Sequence, residues 1–223
     1  MPRDSPPDAT PGERLVILRA MGGRVAVLAS GSGTNLQALL DHPAVGPRVA
    51  MVVSDRGDAR ALERARGGGV EAVHLDPKAF PSRQRHDRAL VDLLRAGGID
   101  LVCLAGYMRI LSPVAVRAFF DRILNVHPSL LPAFPGAHAV REALEWGVRV
   151  TGCTVHLVDE EVDHGPILAQ EAVPVLDGDD EASLQARIQA VEHRLYPATV
   201  LALLEDRVRV EGRRVVRAEG ART

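Results

Sequence analysis

The amino-acid sequence predicts an α/β fold: a mostly parallel, twisted sheet with helices on both faces and an antiparallel part near the C-terminus. From Arg24 onward, short runs rich in β-branched residues alternate with segments of helical period. The runs are apolar at nearly every position, which is typical of parallel strands covered on both faces. In the C-terminal part, two strand-like runs follow each other with only a short turn between them, which predicts an antiparallel pair.

The first half of the chain predicts four strands and three helices. The strands are expected over RVAVLAS, RVAMVVSD, VEAVHL and IDLVCLAG, and the helices over NLQALLDH, ARALERARGGG and SRQRHDRALVDLLRAGG. Glycines end the second and third helices, as they often do at helix C-termini. Leu90, Val91, Leu93 and Leu94 form an apolar stripe on the third helix. We expect the active cleft at the carboxyl ends of the strands, where open parallel sheets bind their ligands.

The second half of the chain predicts a less regular order of elements. SPVAVRAFF predicts a short helix with Pro113 in its first turn, RILNVH a fifth strand and AHAVREALEWG another helix. VRVTGCTVHLVD and GPILAQEAVPV predict a hairpin joined through EEVDH. The long run from DEASLQ to LLED predicts a helix that Pro197 kinks or splits. RVRV and RRVV predict a small terminal hairpin around Glu211 and Gly212.

A single folded domain is expected over residues 23–216. Residues 1–22 are rich in proline and charge and predict a disordered tail, and residues 217–223 predict a flexible C-terminus. The tail has neither the long apolar segment nor the small-residue cleavage site of a signal peptide. Met21 directly precedes the first strand and is an alternative translation start.

Composition excludes two classes of partner. The chain carries 27 Lys and Arg against 29 Asp and Glu, a net charge of −2, so no basic face for a nucleic-acid backbone is expected. No apolar run approaches the ~20 residues of a membrane-spanning helix, and we expect a cytoplasmic protein without a membrane partner. Cys103 and Cys153 lie in separate apolar runs without a CxxC spacing, which predicts two buried thiols in a reducing compartment.

A glycine-rich loop, LASGSGTNLQ, joins the first strand to the first helix. Gly31 and Gly33 allow a ligand to approach the backbone, and the helix N-terminus offers free N–H groups to an anion. No Gly-Lys-Ser/Thr follows, so this is not a P-loop, and Leu36 occupies the place of the third glycine of a dinucleotide fingerprint. Asp55, at the end of the second strand, keeps a dinucleotide site open as an alternative. Phosphate binding and a plain tight turn both remain compatible with the loop.

Asn125 and His127 are the strongest catalytic candidates in the sequence. They are two residues apart on a predicted strand, so their side chains point to the same side. Asparagine supplies an amide donor, and histidine an acid or base that titrates near neutral pH. The three prolines of the following PSLLPAFP segment restrict the backbone and favour a rigid site. The alternative is a buried histidine that is hydrogen-bonded to a carbonyl group.

The acidic turn DEEVDHGP could bring a carboxylate to His127. Asp159, Glu160, Glu161 and Asp163 lie in this turn, and a carboxylate beside the histidine would raise its pKa and fix its orientation. An acidic turn on its own is more often a solvated surface. The histidines and cysteines show no metal-ligand spacing and no serine lies in a GxSxG elbow, so a metal site and a serine hydrolase are both disfavoured.

Five stretches together resemble the glycinamide ribonucleotide formyltransferases. SGSGTNLQALL, LAGYMRILSP, NVHPSLLPAFPG, VDHGPIL and VEHRLYP occur in the order and spacing of that family, from about residue 24 to about residue 215. HPSLLP is shared with other enzymes that use formyl-tetrahydrofolate, whereas SGSGTNLQ together with VEHRLYP points to the glycinamide ribonucleotide branch. The resemblance implies a Rossmann-like formyltransferase fold.

The resemblance also implies an activity and a set of site residues. The implied reaction transfers a formyl group from the co-substrate 10-formyltetrahydrofolate to the glycinamide amine in purine synthesis, without a metal, in a monomer or homodimer. The implied catalytic residues are Asn125, His127 and Asp163. The ribonucleotide would be held by Gly33, Thr34, Asn35, Gln189 and Glu192, and the folate by Arg83, Met108, Arg109, Ile110, Leu111, Asn125 and Asp159.

Physical chemistry suggests how such a trio would act. Amine attack on the formyl carbon builds negative charge on the formyl oxygen, which Asn125 and protonated His127 could stabilise as donors. Asp163 would keep His127 charged and could relay a proton. His164 stands where the family commonly has a small residue. We expect this side chain to point to solvent. The alternative is that His164 acts as a second titratable group beside Asp163 and shifts the pH profile of the activity.

Four other functions are weighed as alternatives. A 10-formyltetrahydrofolate hydrolase of the same superfamily would normally carry an added N-terminal regulatory domain, and a methionyl-tRNA formyltransferase an extra C-terminal one. We expect neither extra domain within these 223 residues. A nucleotide-binding module without chemistry would tolerate loss of Asn125 and His127. A nicotinamide-dependent oxidoreductase would bind its cofactor at Gly31 and Gly33.

Overall fold

The structure, a computed structural model, describes residues 23–205 and 208–217. Its strands are β1 Val25–Leu28, β2 Val49–Ser54, β3 Glu71–His74, β4 Leu101–Leu104, β5 Ile123–His127, β6 Val150–Leu157, β7 Ile167–Pro174, β8 Val208–Glu211 and β9 Arg214–Arg217. Its helices are α1 Thr34–Asp41, α2 Arg60–Gly67, α3 Arg83–Ala96, α4 Pro113–Ala118, α5 Ala139–Trp146 and α6 Glu181–Leu204. The predicted tail, with Met21, and residues 218–223 lie outside the described residues, and the domain boundaries stay a prediction.

Seven strands form one sheet in the order β3-β2-β1-β4-β5-β6-β7. The strands β1 to β5 pair in parallel, whereas β6 and β7 are antiparallel to their neighbours. The hairpin of β8 and β9 forms a separate two-stranded sheet. The predicted α/β class, with its antiparallel C-terminal part, is confirmed.

The two faces of the sheet are covered by different helices. Every residue of β1 is buried, and alternate side chains point to opposite faces. One face packs against α1 and α6 through Val25, Val27, Leu36, Leu39, Tyr196 and Val200. The other face packs against α3 and α4 through Ala26, Leu28, Leu90, Leu94 and Val116. Burial on both faces explains why the strands read as continuous apolar runs.

The long C-terminal helix α6 is continuous through Pro197. Of our two expectations, a kink or a split, the split does not occur. The helix runs for 24 residues, and an Asp180 capping box closes its N-terminus. Proline has no N–H to donate to the carbonyl of His193, one turn earlier. The helix nevertheless continues because Tyr196 and Val200, on either side of the proline, are fully buried in the core.

The carboxyl ends of β1, β4 and β5 lie side by side in the middle of the sheet. β4 pairs with β1 on one side and with β5 on the other, and the backbone N–H of Ser30 donates to the carbonyl of Gly106 beyond the strand ends. The loops that follow these strands therefore meet at one edge. Within residues 23–205 and 208–217, no helix is long and apolar enough to span a membrane.

Candidate active site

Strand β5 carries Asn125 and His127 to the carboxyl edge of the sheet. Apolar Leu124 and Val126 are buried between helices, so the alternate positions are free to carry polar groups. His127 is itself buried, with 4% of its surface exposed, whereas Asn125 is half-buried. The strand ends at His127, so both side chains stand where the chain turns into the proline-rich loop.

Asp163 reaches these two side chains from the loop between β6 and β7. Its Oδ1 accepts a hydrogen bond from Asn125 Nδ2 at 3.3 Å, and its Oδ2 lies 3.4 Å from His127 Nδ1. Oδ2 also accepts the N–H of Gly136 at 2.7 Å. Asp163 has a φ of 51°, in the left-handed region that costs a non-glycine residue energy. These side-chain contacts hold the carboxylate in place, so the structure brings the three predicted catalytic residues together.

Burial has the largest effect on the pKa of His127. It lowers the pKa of His127 below its ordinary value, although the charge of Asp163 and the hydrogen bond to Phe134 act in the opposite direction. As we expected, Asp163 acts to raise the pKa of this histidine, but burial outweighs that contribution and the net pKa is lowered. The reason is that removing the imidazolium from water costs more than one partly exposed carboxylate returns.

The hydrogen-bond partners of His127 define what its ring can donate. Its Nε2 lies 2.8 Å from the carbonyl oxygen of Phe134, which can only accept, so Nε2 carries a proton. Its Nδ1 faces the carboxylate of Asp163 at a distance longer than a good hydrogen bond. A proton on Nδ1 would therefore be stabilised by Asp163 and still be available to an oxygen bound nearby.

The proline-rich loop after His127 is fixed by hydrogen bonds to β6 and β7. Thr154 Oγ1 donates to the carbonyl of Ser129 and accepts the N–H of Leu131, and Gln170 Nε2 donates to the carbonyl of Leu131 at 2.9 Å. The Leu131–Pro132 peptide bond is cis. The loop is thus held by both its prolines and its neighbours in the sheet.

His156 belongs to this cluster although no pattern in the sequence pointed to it. It lies opposite Asn125 in the antiparallel β5–β6 ladder and is almost fully buried. Its Nδ1 lies 2.8 Å from the carbonyl of Leu157, which can only accept and so faces a proton, and its Nε2 lies 3.2 Å from Asn125 Nδ2. This contact fixes which way the Asn125 amide points. Only knowledge of the hairpin register could have revealed it.

The carboxylate of Asp163 is kept ionised by its neighbours. Burial alone would raise the pKa of Asp163, but its contacts with His156, His127 and the N–H of Gly136 outweigh burial and lower the pKa below the ordinary value. A carboxylate that remains charged in a largely buried cluster is the group that can stabilise a proton on His127.

The glycine loop is fastened to helix α2. Gly33 has a φ of 69°, and a Cβ atom there would lie 2.9 Å from Cα of Ala61. The N–H of Ala61 donates to the carbonyl of Gly31, and Arg64 Nε donates to the carbonyl of Ser32 at 2.8 Å. Arg64 therefore adds a positive charge beside the predicted phosphate site. A surface arginine within a helix carries no signal in the sequence, so this residue was missed.

Asn35 and Glu192 meet although 157 residues separate them. Asn35 Nδ2 donates to Glu192 Oε2 at 2.8 Å, while Asn35 Oδ1 is buried and has no hydrogen-bond partner among the described residues. Burial raises the pKa of Glu192, against the hydrogen bond from Asn35. Gln189 lies one turn before Glu192 on α6 and is half-buried. Thr34 is the first residue of α1 and lines a groove of about 740 Å³ between α1 and α6.

The predicted folate segment is held at both ends and exposed in the middle. Ser30 Oγ accepts the N–H of Met108, and the buried carboxylate of Asp87 accepts the N–H of Ser112. Between these points Met108 is 67% and Ile110 58% exposed, although both are apolar. Exposed apolar side chains on a fixed backbone are suited to a flat aromatic ligand.

The other predicted folate contacts are less closely grouped. Leu111 is buried against the core, and Arg109 is half-buried with an Nε atom that has no partner among the described residues. Arg83 is the first residue of α3 and is exposed. It makes no hydrogen bond or ion pair within the described part of the chain.

His164, directly after Asp163, contacts the terminal hairpin. His164 Nδ1 lies 2.7 Å from Asp159 Oδ2, and Arg213, in the β8–β9 turn, donates to the carbonyl of His164 at 2.6 Å. The side chain of His164 is 47% exposed. The ring is exposed to solvent, as we expected, while Asp159 contacts it on one side and Arg213 approaches it on the other.

Comparison with known proteins decides the family. A family model described as formyl transferase matches residues 23–200, which is most of the chain. This chain belongs to the formyl transferase family. Its fold is similar to the crystal structure of glycinamide ribonucleotide transformylase 1 from Symbiobacterium toebii, with a TM-score of 0.86 and 56% identity over 89% of this chain and 96% of that one.

Curated members of the family share much of the sequence. Phosphoribosylglycinamide formyltransferase of Mycobacterium tuberculosis is 51% identical over 193 residues, covering 85% of this chain and 89% of that protein. The trifunctional purine biosynthetic protein adenosine-3 of Drosophila melanogaster is 45% identical over 186 residues. That alignment covers 81% of this chain and only 14% of the much longer trifunctional protein.

The family does not by itself settle the question of a metal. Within the described residues, no group of three or more histidine, cysteine, aspartate or glutamate side chains could hold a metal ion. His127 and His156 both approach Asp163, but His127 faces a backbone carbonyl with its second nitrogen and His156 does the same. That the reaction needs no metal stays a prediction.

Proposed function

We propose that the chain transfers the formyl group of 10-formyltetrahydrofolate to the amine of 5-phosphoribosylglycinamide, in de novo purine biosynthesis. The products would be formylglycinamide ribonucleotide and tetrahydrofolate. Family membership and the names of its relatives support the substrates. The observation that carries the proposal is the convergence of Asn125, His127 and Asp163 at the carboxyl edge of the sheet.

The glycine loop is the proposed site of the ribonucleotide phosphate. Free N–H groups at the start of α1, from Gly33 to Asn35, would donate to the phosphate oxygens. Arg64 contributes a nearby positive charge. Glu192 and Gln189 on α6 would contact the sugar and the glycinamide end of the substrate. The buried Asn35 Oδ1 atom, unpartnered within the described residues, is a further acceptor that a substrate N–H or O–H could satisfy.

The folate would lie along the segment from Met108 to Leu111, with the loop from Asp159 to Asp163 over its pterin ring. The apolar faces of Met108 and Ile110 are exposed there. Arg109 and Arg83 are the cations that could receive the carboxylates of the folate tail. Asn125, beside the catalytic carboxylate, would face the formyl group.

The chemistry follows from the donors in the trio. The amine lone pair attacks the formyl carbon, and the C=O electron pair moves to the oxygen, which becomes an oxyanion. Asn125 Nδ2–H, once it gives up its 3.3 Å contact with Asp163, and the Nδ1–H of protonated His127 would stabilise this charge, and removing one such donor typically costs ~10²–10³ in rate. The intermediate then collapses, the bond to folate N10 breaks, and the amine proton is transferred to that nitrogen, directly or through water.

Asp163 would serve this reaction through His127. Because burial lowers the pKa of His127, this side chain is mainly neutral near pH 7 before the substrates bind. Negative charge developing on the formyl oxygen, together with the ionised Asp163, would favour the imidazolium when it is needed. Asp163 is also placed to accept the amine proton during transfer.

The test is product formation by the purified protein with 10-formyltetrahydrofolate, with and without the ribonucleotide. Tetrahydrofolate released only with the ribonucleotide, together with formylated ribonucleotide, is the expected result. Equal release of formate without the ribonucleotide would instead establish the hydrolase. No turnover in either mixture would favour a binding module, and NAD(P) binding in a titration would favour the oxidoreductase.

A further inference from the structure

Ser30 stands where three loops of the active edge meet. It lies two residues after the end of β1 and three before Gly33, and only 3% of its surface is exposed. Its Oγ donates to Asp55 Oδ1 at 2.6 Å and accepts the N–H of Met108 at 2.9 Å. Asp55 follows β2, and Met108 belongs to the loop after β4. One buried hydroxyl thus connects the loops after β1, β2 and β4.

The direction of both hydrogen bonds is forced by chemistry. The N–H of Met108 can only donate, so the Ser30 oxygen must accept there and its single proton must point elsewhere. A carboxylate oxygen at 2.6 Å is the partner for that proton, and such charge-assisted bonds are short and strong. Asp55 therefore orients the hydroxyl, and the oriented hydroxyl holds Met108.

The two segments that Ser30 connects are those proposed for the two substrates. The glycine loop would hold the ribonucleotide, and the segment from Met108 to Leu111 would hold the folate. We propose that Ser30, oriented by Asp55, is a positioning residue that sets the separation of the two substrates, and hence of the amine from the formyl carbon. This inference rests on the proposed function. A misplacement of about 1 Å between reacting groups can cost ~10²-fold in rate.

The decisive experiment compares Ser30→Ala with wild type while both substrates are varied. Each segment keeps its own contacts to its substrate, so we expect each KM to change by less than about threefold. The kcat should fall by about 10- to 100-fold because the relative placement is lost. A kcat within twofold of wild type would overturn the proposal. Ser183→Ala, which removes a hydroxyl from the N-terminal cap of α6, is the matched control and should keep its kcat.

Variants at Asp55 separate positioning from a general loss of stability. Asp55→Asn keeps an oxygen that can accept from Ser30 and should retain kcat within about threefold, whereas Asp55→Ala should lower kcat as Ser30→Ala does. Equal losses in both Asp55 variants would contradict the proposal. If Ser30→Ala does not fold, as judged by its circular dichroism, this pair decides the question.

Amide exchange tests the contact without reference to activity. We expect the Met108 amide to exchange slowly in wild type and at least about tenfold faster in Ser30→Ala, since its hydrogen-bond acceptor is removed. Unchanged protection would refute the role of Ser30. If wild type formed no formylated ribonucleotide, the proposed function would fail, and this exchange measurement would still decide whether Ser30 holds the segment.

Discussion

At the scale of single residues, the state of His127 depends on a balance between burial and its two acceptors. The Phe134 carbonyl and the Asp163 carboxylate both favour a protonated ring, while burial disfavours it more strongly. The histidine therefore differs from an ordinary surface histidine in a way that experiments can detect. Two predictions concern this balance, and a third concerns Gly33.

Asp163→Asn should leave the fold intact and reduce turnover by at least ~10²-fold. Asparagine fills the same space and can still accept the N–H of Gly136, but it has no charge to stabilise a proton on His127. The pKa of His127 should fall further below its ordinary value. Steady-state kinetics and an NMR titration of the His127 ring test both parts. Near-normal turnover would remove Asp163 from the proposed trio.

The lowered pKa of His127 also predicts a pH dependence of stability. In the unfolded chain this histidine binds a proton near its ordinary pKa of ~6.5, whereas in the folded protein it does so only at lower pH. The free energy of unfolding should therefore decrease as the pH falls from ~6.5 toward the folded pKa. Denaturant titrations at several pH values measure this loss. It should shrink in His127→Gln, and an equal loss in that variant would exclude His127 as its source.

Gly33→Ala should destabilise the fold by more than ~1 kcal/mol. Its φ of 69° disfavours any side chain, and the added Cβ would lie 2.9 Å from Cα of Ala61. The matched control is Gly31→Ala, where a Cβ would meet no atom within 4 Å, and its unfolding free energy should stay within ~0.5 kcal/mol. Urea denaturation compares the two. Equal stability of both variants would mean that the loop does not need its left-handed residue.

The same scale shows what the sequence could reveal about the site. The spacing of Asn125 and His127 and the prolines after them are enough to indicate a site at the end of this strand. Choosing Asp163 among four acidic residues of one turn required the resemblance, because no local pattern distinguishes them. His156 was missed since its position follows from strand register. Catalytic roles for all of these residues stay predictions.

At the scale of elements, the terminal hairpin contacts the loop between β6 and β7. The β8–β9 turn brings Arg213 to the backbone carbonyl of His164, which directly follows the Asp159–Asp163 loop proposed to cover the folate. The sequence predicted this hairpin correctly, but which loop it would contact could not be read from short-range patterns. Continuity of α6 through Pro197 likewise depended on tertiary burial, which overrides local preference.

Arg213→Ala should raise the KM for 10-formyltetrahydrofolate by about two- to fivefold without changing kcat. The range is modest because exposed hydrogen bonds and ion pairs contribute little. The KM for the ribonucleotide should not change, since the glycine loop lies elsewhere. Arg214→Ala, at the first residue of β9 next to the turn, is the control and should match wild type. A KM that is equal in all three proteins would show that the hairpin does not support the loop.

At the scale of the whole molecule, the sheet topology brings distant segments to one edge. Asn35 meets Glu192 across 157 residues, and Ser30 meets Met108 across 78. Alternation of apolar runs and helices was sufficient to predict the class of fold, because the central strands β1, β2, β4 and β5 are buried on both faces. Which loops meet depends on the strand order, and that order is a property of the complete chain.

Single-turnover formyl transfer by Asn125→Ala and His127→Ala tests most directly whether this edge of the sheet performs the chemistry. Both substrates should be saturating, and calorimetry on the same samples should measure their binding. We expect the transfer rate to fall by ~10²–10³ in each variant, while both substrates bind within about fivefold of wild type. Transfer at near wild-type rates in both variants would contradict the assignment of the reaction to this site.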